Sequence, residues 1–420
     1  MNYKRSVLQT QKKIEQALFF LIIFFLPTQI GKHFWPQFSF IYSLKIDYLS
    51  PTLYLWDLCL IGLVIVWILS KPKLNTKALS LLLLFLLTQG LSLLGASNVL
   101  GGLVRLEQLF LTGFFGLYIS SKKLVEIKKE LVWGLGLSLS LVSVIAIFQF
   151  LKGGSLGLWI LGERSFSLST PSIATFNFYG NVYLRPYSTL PHPNVLAGFL
   201  VLSLALISWG IRGIRGNRRI RVLVLGLGVI ATLLSFSRAG ILVLLAEAFL
   251  YFRKKIKLLI LLLLIPLPFL YVRFESVFNF DSLSILRREE LNEVSIKLFW
   301  QNPLFGVGIN NFINEITESF ISGPSRFLQP VHNIGLLVLA ESGLLGLLGI
   351  LGLLGYPMFR LWKKKDEEFS KVLLFCFGSI FFLGMFDHYF LTLPTGQRLL
   401  FLIWGLSMLE YFNGSYKKSY

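Results

Sequence analysis

A chain of 420 residues that is 55% hydrophobic, with a mean hydropathy of +0.69, carries more apolar side chain than a water-soluble core can hide. Its formal net charge of +19 suggests a nucleic-acid partner, but the placement of the charge excludes one. Lys and Arg gather in short breaks at residues 4–13, 71–77, 122–129, 212–221, 253–257, 360–371 and 417–418, which hold 27 of the 40 basic residues. The remaining 13 basic and 14 acidic residues nearly cancel, so the excess sits where the positive-inside rule puts cytoplasmic loops. Cys59 and Cys376 both fall in apolar runs and read as packing residues.

Runs of about 18 or more apolar residues recur along the chain, each long enough to cross roughly 30 Å of hydrocarbon as a helix. Lipid offers no hydrogen bonds to the backbone, so the spanning segments must be helices. The expected fold class is therefore all-α, a polytopic integral membrane protein forming one domain over 1–420, with about twelve transmembrane helices.

The first span is expected at 15–31; no small-residue cleavage site follows it, so it reads as an uncleaved helix. A loop at 32–51 carries His33, Trp35 and Asp47. Spans follow at 52–70, 78–96, 100–120 and 131–151. The polar segment 152–192 is an outer loop before the sixth span, which opens at Pro193, a residue suited to a first helical turn. Residues 222–252 are too long for one ordinary span. Ser, Arg and Gly interrupt them in SFSRAG at 235–240, so two short spans turning at Arg238 are expected. The ninth span is expected at 258–272.

A large loop at 273–331 follows, partly helical because 284–300 has an amphipathic pattern. NPLFGVG at 302–308 then turns the chain. The last spans are expected at 333–357, 370–388 and 398–413. An even count places both termini in the cytoplasm and every basic break with them. His33, His192, His332, His388, Arg185, Arg238 and Arg288 then fall at or near the outer face.

Arg238 is the sharpest of these, since an arginine between membrane segments costs a few kcal/mol unless it meets water or a partner. Its bland alternative is a side chain snorkelling to the headgroups. His332, at the start of the tenth span, can accept or donate a proton near neutral pH, or can be a satisfied interfacial histidine. Glu341, Asp57, Glu107 and Glu247 are acids inside spans, either functional or paired with Arg105 and backbone groups. No short ligand spacing supports a metal site, and no fingerprint supports a cofactor. Glycines 343, 346, 349 and 352 read as a close helix-packing face. A cationic outer pocket with a histidine suits a phosphate or diphosphate.

RPYSTLPHPN before a span, SFSRAG between two spans, RREELNEVSIKLFWQNPLFGVGINNF in the large loop, HNIGLLVLAESG and FDHYFLTLPTGQ stand in that order. Over about 184–390 the chain thereby resembles the O-antigen ligase and O-antigen polymerase family of bacterial membrane glycosyltransferases. The resemblance implies a GT-C-like fold with its large loop between helices 9 and 10. It implies transfer of a glycan from an undecaprenyl-diphosphate carrier to a glycan, lipid or protein acceptor outside the bacterial cytoplasmic membrane, without metal or cofactor. Implied roles are diphosphate binding by Arg185 and Arg238, and orientation or deprotonation of the acceptor hydroxyl by His332. Arg288, His192, Asn194 and Asn333 would bind substrate. Asn292 departs from the aromatic residue frequent at its position in the family.

A twelve-span polysaccharide or lipid-linked-glycan transporter is the main alternative, and a membrane scaffold the second. The largest polar loop lies between the ninth and tenth spans, and no long inner loop divides two equal halves, which argues against transport.

Overall fold

The computed structural model describes residues 2–210, 217–257, 260, 264–278, 283–318 and 328–409. Lys417, Lys418, part of the 212–221 break, part of the ninth expected span and parts of the 273–331 loop lie outside them.

Thirteen longer helices carry the chain among the described residues. They are α1 (Asn2–Phe24), α2 (Leu55–Leu69), α3 (Thr76–Leu91), α4 (Val99–Ser120), α5 (Leu124–Lys152), α6 (Pro193–Gly210), α7 (Arg218–Leu234) and α8 (Arg238–Phe252), then α9 (Leu267–Phe278), α10 (Leu283–Gln301), α11 (Ile334–Lys363), α12 (Glu368–Gly384) and α13 (Pro394–Ser407). Among the described residues five segments are long and apolar enough to cross a membrane: Thr76–Gly95, Val99–Ser120, Leu124–Lys152, Pro193–Gly210 and Ile334–Lys363. A mostly helical chain with these five candidate spans accords with a polytopic membrane protein. Large apolar side chains on the helices stay uncovered, among them Ile65, Leu84, Leu87 and Leu348. Contiguous apolar surface of this kind needs lipid or a partner to cover it.

In and beside the loops at 32–51 and 152–192 are short strands that an all-α reading does not include. β1 (Gly31–His33) pairs antiparallel with β4 (Thr52–Tyr54), β2 (Phe40–Ile41) with β3 (Leu44–Lys45), and β5 (Thr175–Phe178) with β6 (Asn181–Leu184). The last hairpin turns through Tyr179 and Gly180, both at positive φ, as a two-residue hairpin loop requires.

SFSRAG divides the 222–252 stretch as expected. α7 ends at Leu234, Phe236 takes φ 49°, and the Ser237 hydroxyl caps α8 by accepting from the Gly240 amide at 3.4 Å. A Cβ on Gly240 would stand 2.5 Å from that of Ala197, so glycine sets how closely α8 approaches α6.

NPLFGVG does more than turn the chain. α11 is broken at Gly343 (φ 61°, ψ −160°), and the loop enters the break. The amides of Leu344 and Leu345 donate to the carbonyls of Pro303 (2.8 Å) and Leu304 (3.2 Å), and the Val307 amide donates to Ala340 (2.9 Å). Loop backbone thus supplies bonds that the helix has lost. A Cβ on Gly343 would lie 2.5 Å from the Leu304 backbone. Of the expected packing glycines, Gly349 meets the α3 side chain of Thr88 closely, Gly346 is crowded mainly by Ser342 of its own helix, Gly343 accommodates the loop, and Gly352 has open space.

The amphipathic helix α10 lies over this junction. Leu291 and Leu298 are buried with Val307, Phe312, Val331 and Leu337. Glu341, an acid inside a span, accepts from the Phe312 amide at 3.3 Å, so it braces the same loop. Asp57 likewise caps its own helix, accepting from the Tyr54 amide at 2.8 Å.

Candidate active site

The site lies where α6, α8, α11 and α13 begin and where α7 and α12 end. The basic breaks occupy the opposite helix ends: Arg218 starts α7, Arg253 follows α8, and Lys363 ends α11.

Gln149, near the end of α5, sets the segment that presents Arg185. Its side-chain oxygen accepts from the amides of Tyr187 (3.0 Å) and Ser188 (2.6 Å), and its nitrogen donates to the Ser188 carbonyl at 3.0 Å. Arg185, buried at the end of the β5–β6 hairpin, points Nε at the Ser235 carbonyl (2.8 Å) and Nη2 at the Asn194 oxygen (2.8 Å). It is therefore locked to the turn that ends in Arg238. Arg288 comes from α10, donates to the Phe386 carbonyl at 3.0 Å, and lies close enough to add its charge to that of Arg238. Three guanidinium groups from distant stretches converge.

Asn194 carries the connection onward. Its side-chain nitrogen donates to Asp387 Oδ2 at 3.0 Å, and its amide donates to His192 Nδ1 at 3.1 Å. Asp387 and His388 follow the end of α12, both buried, with the His388 amide donating to Asp387 Oδ1 at 2.9 Å. The His332 ring stands edge-on to that of His388, with centroids 5.2 Å apart. His332 Nδ1 is buried with no hydrogen-bond partner among the described residues.

The electrostatics follow from burial in a cationic setting. Burial lowers His332 to about 3; Asp387 opposes the shift, while His388, Arg288 and His192 add to it. Burial and Arg185 lower His192 to about 3, and burial lowers His388 to about 4. Burial works against the Asp387 carboxylate, but the three histidines and the Asn194 hydrogen bond prevail and hold it at about 2. Near neutral pH the site is one carboxylate, neutral imidazoles and three arginines.

Arg185, Arg238, Arg288, His192, Asn194 and His332 thus come together. Asn333 lies beside them, its oxygen capping α11 at the Leu336 amide (3.1 Å) and its nitrogen 3.5 Å from the Met385 carbonyl. His33 stands elsewhere, bound to the Thr52 hydroxyl at 2.8 Å and stacked on Trp35. The residues absent from the expected site are Asp387 and, beside it, His388. Their signal was an acid beside a histidine between two apolar runs, in FDHYFLTLPTGQ. Among the described residues no group of three or more His, Cys, Asp or Glu side chains is arranged to hold a metal ion. A cavity of about 250 Å³ lies at the other helix ends, lined by Lys12, Glu15, Tyr118, Lys122 and Glu130, and contains none of the site residues.

Residues 194–351 match the family model described as O-antigen ligase. Across that segment the chain is similar to the O-antigen ligase family. The matched segment starts at Asn194 and contains Arg238, Arg288, His332 and Asn333; Arg185, His192 and Asp387 reach the site from outside it. No curated protein matches the chain. The match supports a membrane role in glycan transfer for O-antigen assembly, and the five apolar helices accord with a polytopic membrane protein.

Proposed function

We propose that this protein transfers a glycan from an undecaprenyl-diphosphate carrier to an acceptor hydroxyl at the outer face of the bacterial cytoplasmic membrane. The observation that carries the reading is the convergence of Arg185 and Arg238 on one turn, with Arg288 near and an unpartnered imidazole nitrogen on His332. Bidentate guanidinium groups match phosphate oxygens, and in a site poor in water they stabilise developing negative charge strongly.

In the proposed reaction the acceptor oxygen attacks the anomeric carbon. The bond from that carbon to the phosphate oxygen breaks, and the diphosphate leaves with the electron pair. The hydroxyl proton passes to His332, which is neutral and can receive it. One displacement inverts the anomeric centre. The arginines supply the positive charge that a divalent cation supplies in other diphosphate chemistry, so the reaction is metal-independent. A bound diphosphate also brings negative charge beside His332, which raises its basicity when a base is needed.

The acceptor is lipid, protein or a growing lipid-linked glycan, so the protein is a ligase or a polymerase. The test is an in vitro assay with an undecaprenyl-diphosphate-linked oligosaccharide and EDTA, comparing the native chain with Arg238→Ala. Lengthened lipid-linked product from the native chain alone supports a polymerase. Donor consumption only with a separate acceptor supports a ligase. No consumption by folded protein, under any acceptor, sinks the proposal and favours the transporter.

A further inference from the structure

His332 lacks a hydrogen-bond partner at Nδ1 among the described residues, and the ring of His388 stands against it. His388 is itself held on several sides. His388 Nδ1 is 2.6 Å from the Thr392 hydroxyl, one helical turn on, and the Tyr48 ring stands edge-on to it at 5.8 Å. The Thr392 hydroxyl also donates back to the His388 carbonyl at 3.1 Å. With its one hydrogen spent there, Oγ1 accepts from Nδ1–H, and the His388 lone pair is on Nε2.

Arg105 holds this turn in place. It sits 3% exposed in α4, and Nη1 donates to the carbonyls of Thr392 and Leu391, the latter at 3.2 Å. Nη2 donates to the Asn310 oxygen at 3.1 Å. The Asn310 nitrogen in turn donates to the carbonyls of Tyr48 (2.9 Å) and Gly101 (2.8 Å). One buried guanidinium therefore ties together the three segments that meet around His388: the turn after α12, the loop lodged in α11, and the first inter-helix loop. A guanidinium this deep is destabilising unless its N–H groups are bonded, and here the bonds converge on the support of one imidazole.

We propose that Arg105 and Thr392 fix His388 as a positioning residue, whose ring holds His332 in the orientation that meets the acceptor hydroxyl. This inference rests on the glycan-transfer reading above. Neither Arg105 nor Thr392 touches substrate in it; they act through His388, and His388 acts through His332.

The experiment measures kcat and donor KM separately for the purified full chain and for Thr392→Val, Thr392→Ser, His388→Gln and His332→Ala. Valine keeps the branched shape of threonine and removes only the hydroxyl. Thr392→Val is expected to lower kcat by about tenfold to a hundredfold, the scale of a misplaced reacting group, with donor KM unchanged. Thr392→Ser should restore kcat to near the native value, and His388→Gln should resemble Thr392→Val. Native kcat in Thr392→Val, or in His388→Gln where the valine variant does not fold, overturns the inference. So does a loss in Thr392→Val that Thr392→Ser fails to restore, or a rise in donor KM with kcat unchanged. An active His332→Ala variant refutes the role of His332 itself. An inactive one beside a fully active Thr392→Val refutes only the support.

Discussion

The side-chain nitrogen of Asn194 donates to Asp387 at 3.0 Å across 193 residues of chain, while its oxygen accepts from Arg185 at 2.8 Å. One neutral amide therefore stands between a guanidinium and a carboxylate and keeps them from closing on each other. Direct pairing would neutralise the arginine and cost it its affinity for phosphate. The amide leaves the charge of Arg185 available and holds Asp387 beside the histidines.

Asn194→Ala should remove both bonds and weaken the alignment of Arg185. A lost hydrogen bond to a charged partner is worth about 1.5–3 kcal/mol, so transfer should fall by roughly tenfold to a hundredfold. Asn194→Asp should do at least as much harm, by placing a second carboxylate against Asp387. Steady-state transfer assays on the two variants check this. Native rates in both would remove Asn194 from the site.

Arg238→Lys keeps the charge but loses the planar fork. On the proposed chemistry it should retain part of the activity, whereas Arg238→Ala should lose about a hundredfold to a thousandfold, as loss of one preorganised donor does elsewhere. Equal rates in the two variants would show that charge at this turn is unimportant.

The histidines of the site make stability depend on pH. His332 and His192 at about 3 and His388 at about 4 lie below the unfolded value of about 6.5. The unfolded chain therefore takes up protons first as pH falls, so stability is full above about pH 6.5 and declines from there toward the folded values. Asp387, held at about 2, adds a loss of the same sign below about pH 4. Melting temperature in detergent should fall between about pH 7 and pH 5. A flat profile would mean that the histidines are not buried as described, and His332→Ala should lessen the slope.

Gly343→Ala tests the docking of the loop into α11. The residue is at φ 61°, and an added Cβ would lie 2.5 Å from Leu304 backbone, where no flexible side chain can yield. Strain and overpacking together should cost on the order of 2–5 kcal/mol, read as a lower melting temperature. Gly352→Ala, facing open space in the same helix, is the control and should melt as the native protein does.

The exposed hairpin tip tests the proposed sidedness. Tyr179→Cys should react with a membrane-impermeant thiol reagent in intact cells, and Lys254→Cys should react only after permeabilisation. Reversed labelling would invert the topology and place the site on the cytoplasmic side.

Much of the architecture was legible because it depends on quantities that sum along the chain. Apolar runs specify helices in lipid whatever their neighbours, and clustered lysines and arginines mark loop positions. SFSRAG could be read as a turn because a serine cap, an arginine and a packing glycine are local signals. Motifs single out Arg185, Arg238 and His332 as candidates, and only tertiary structure brings them together.

What the chain pattern could not show depends on pairs far apart in sequence. Span number is not fixed by length and hydropathy, because short apolar helices look alike whether they cross lipid or pack within a bundle. The entry of 302–308 into the broken α11 was hidden, since a helix interruption filled by another segment's backbone leaves only a glycine as its mark. The sequence signal of Asp387, an acid beside a histidine, assigns it no role for the same reason. A carboxylate between apolar runs has no role of its own until Asn194, His388 and His332 close around it. Composition and periodicity by themselves determined a basic, helical membrane chain. Tertiary contacts alone decided which of its few polar side chains share a site, because hydrogen bonds and buried charge act over a few ångströms of space and take no account of distance along the sequence.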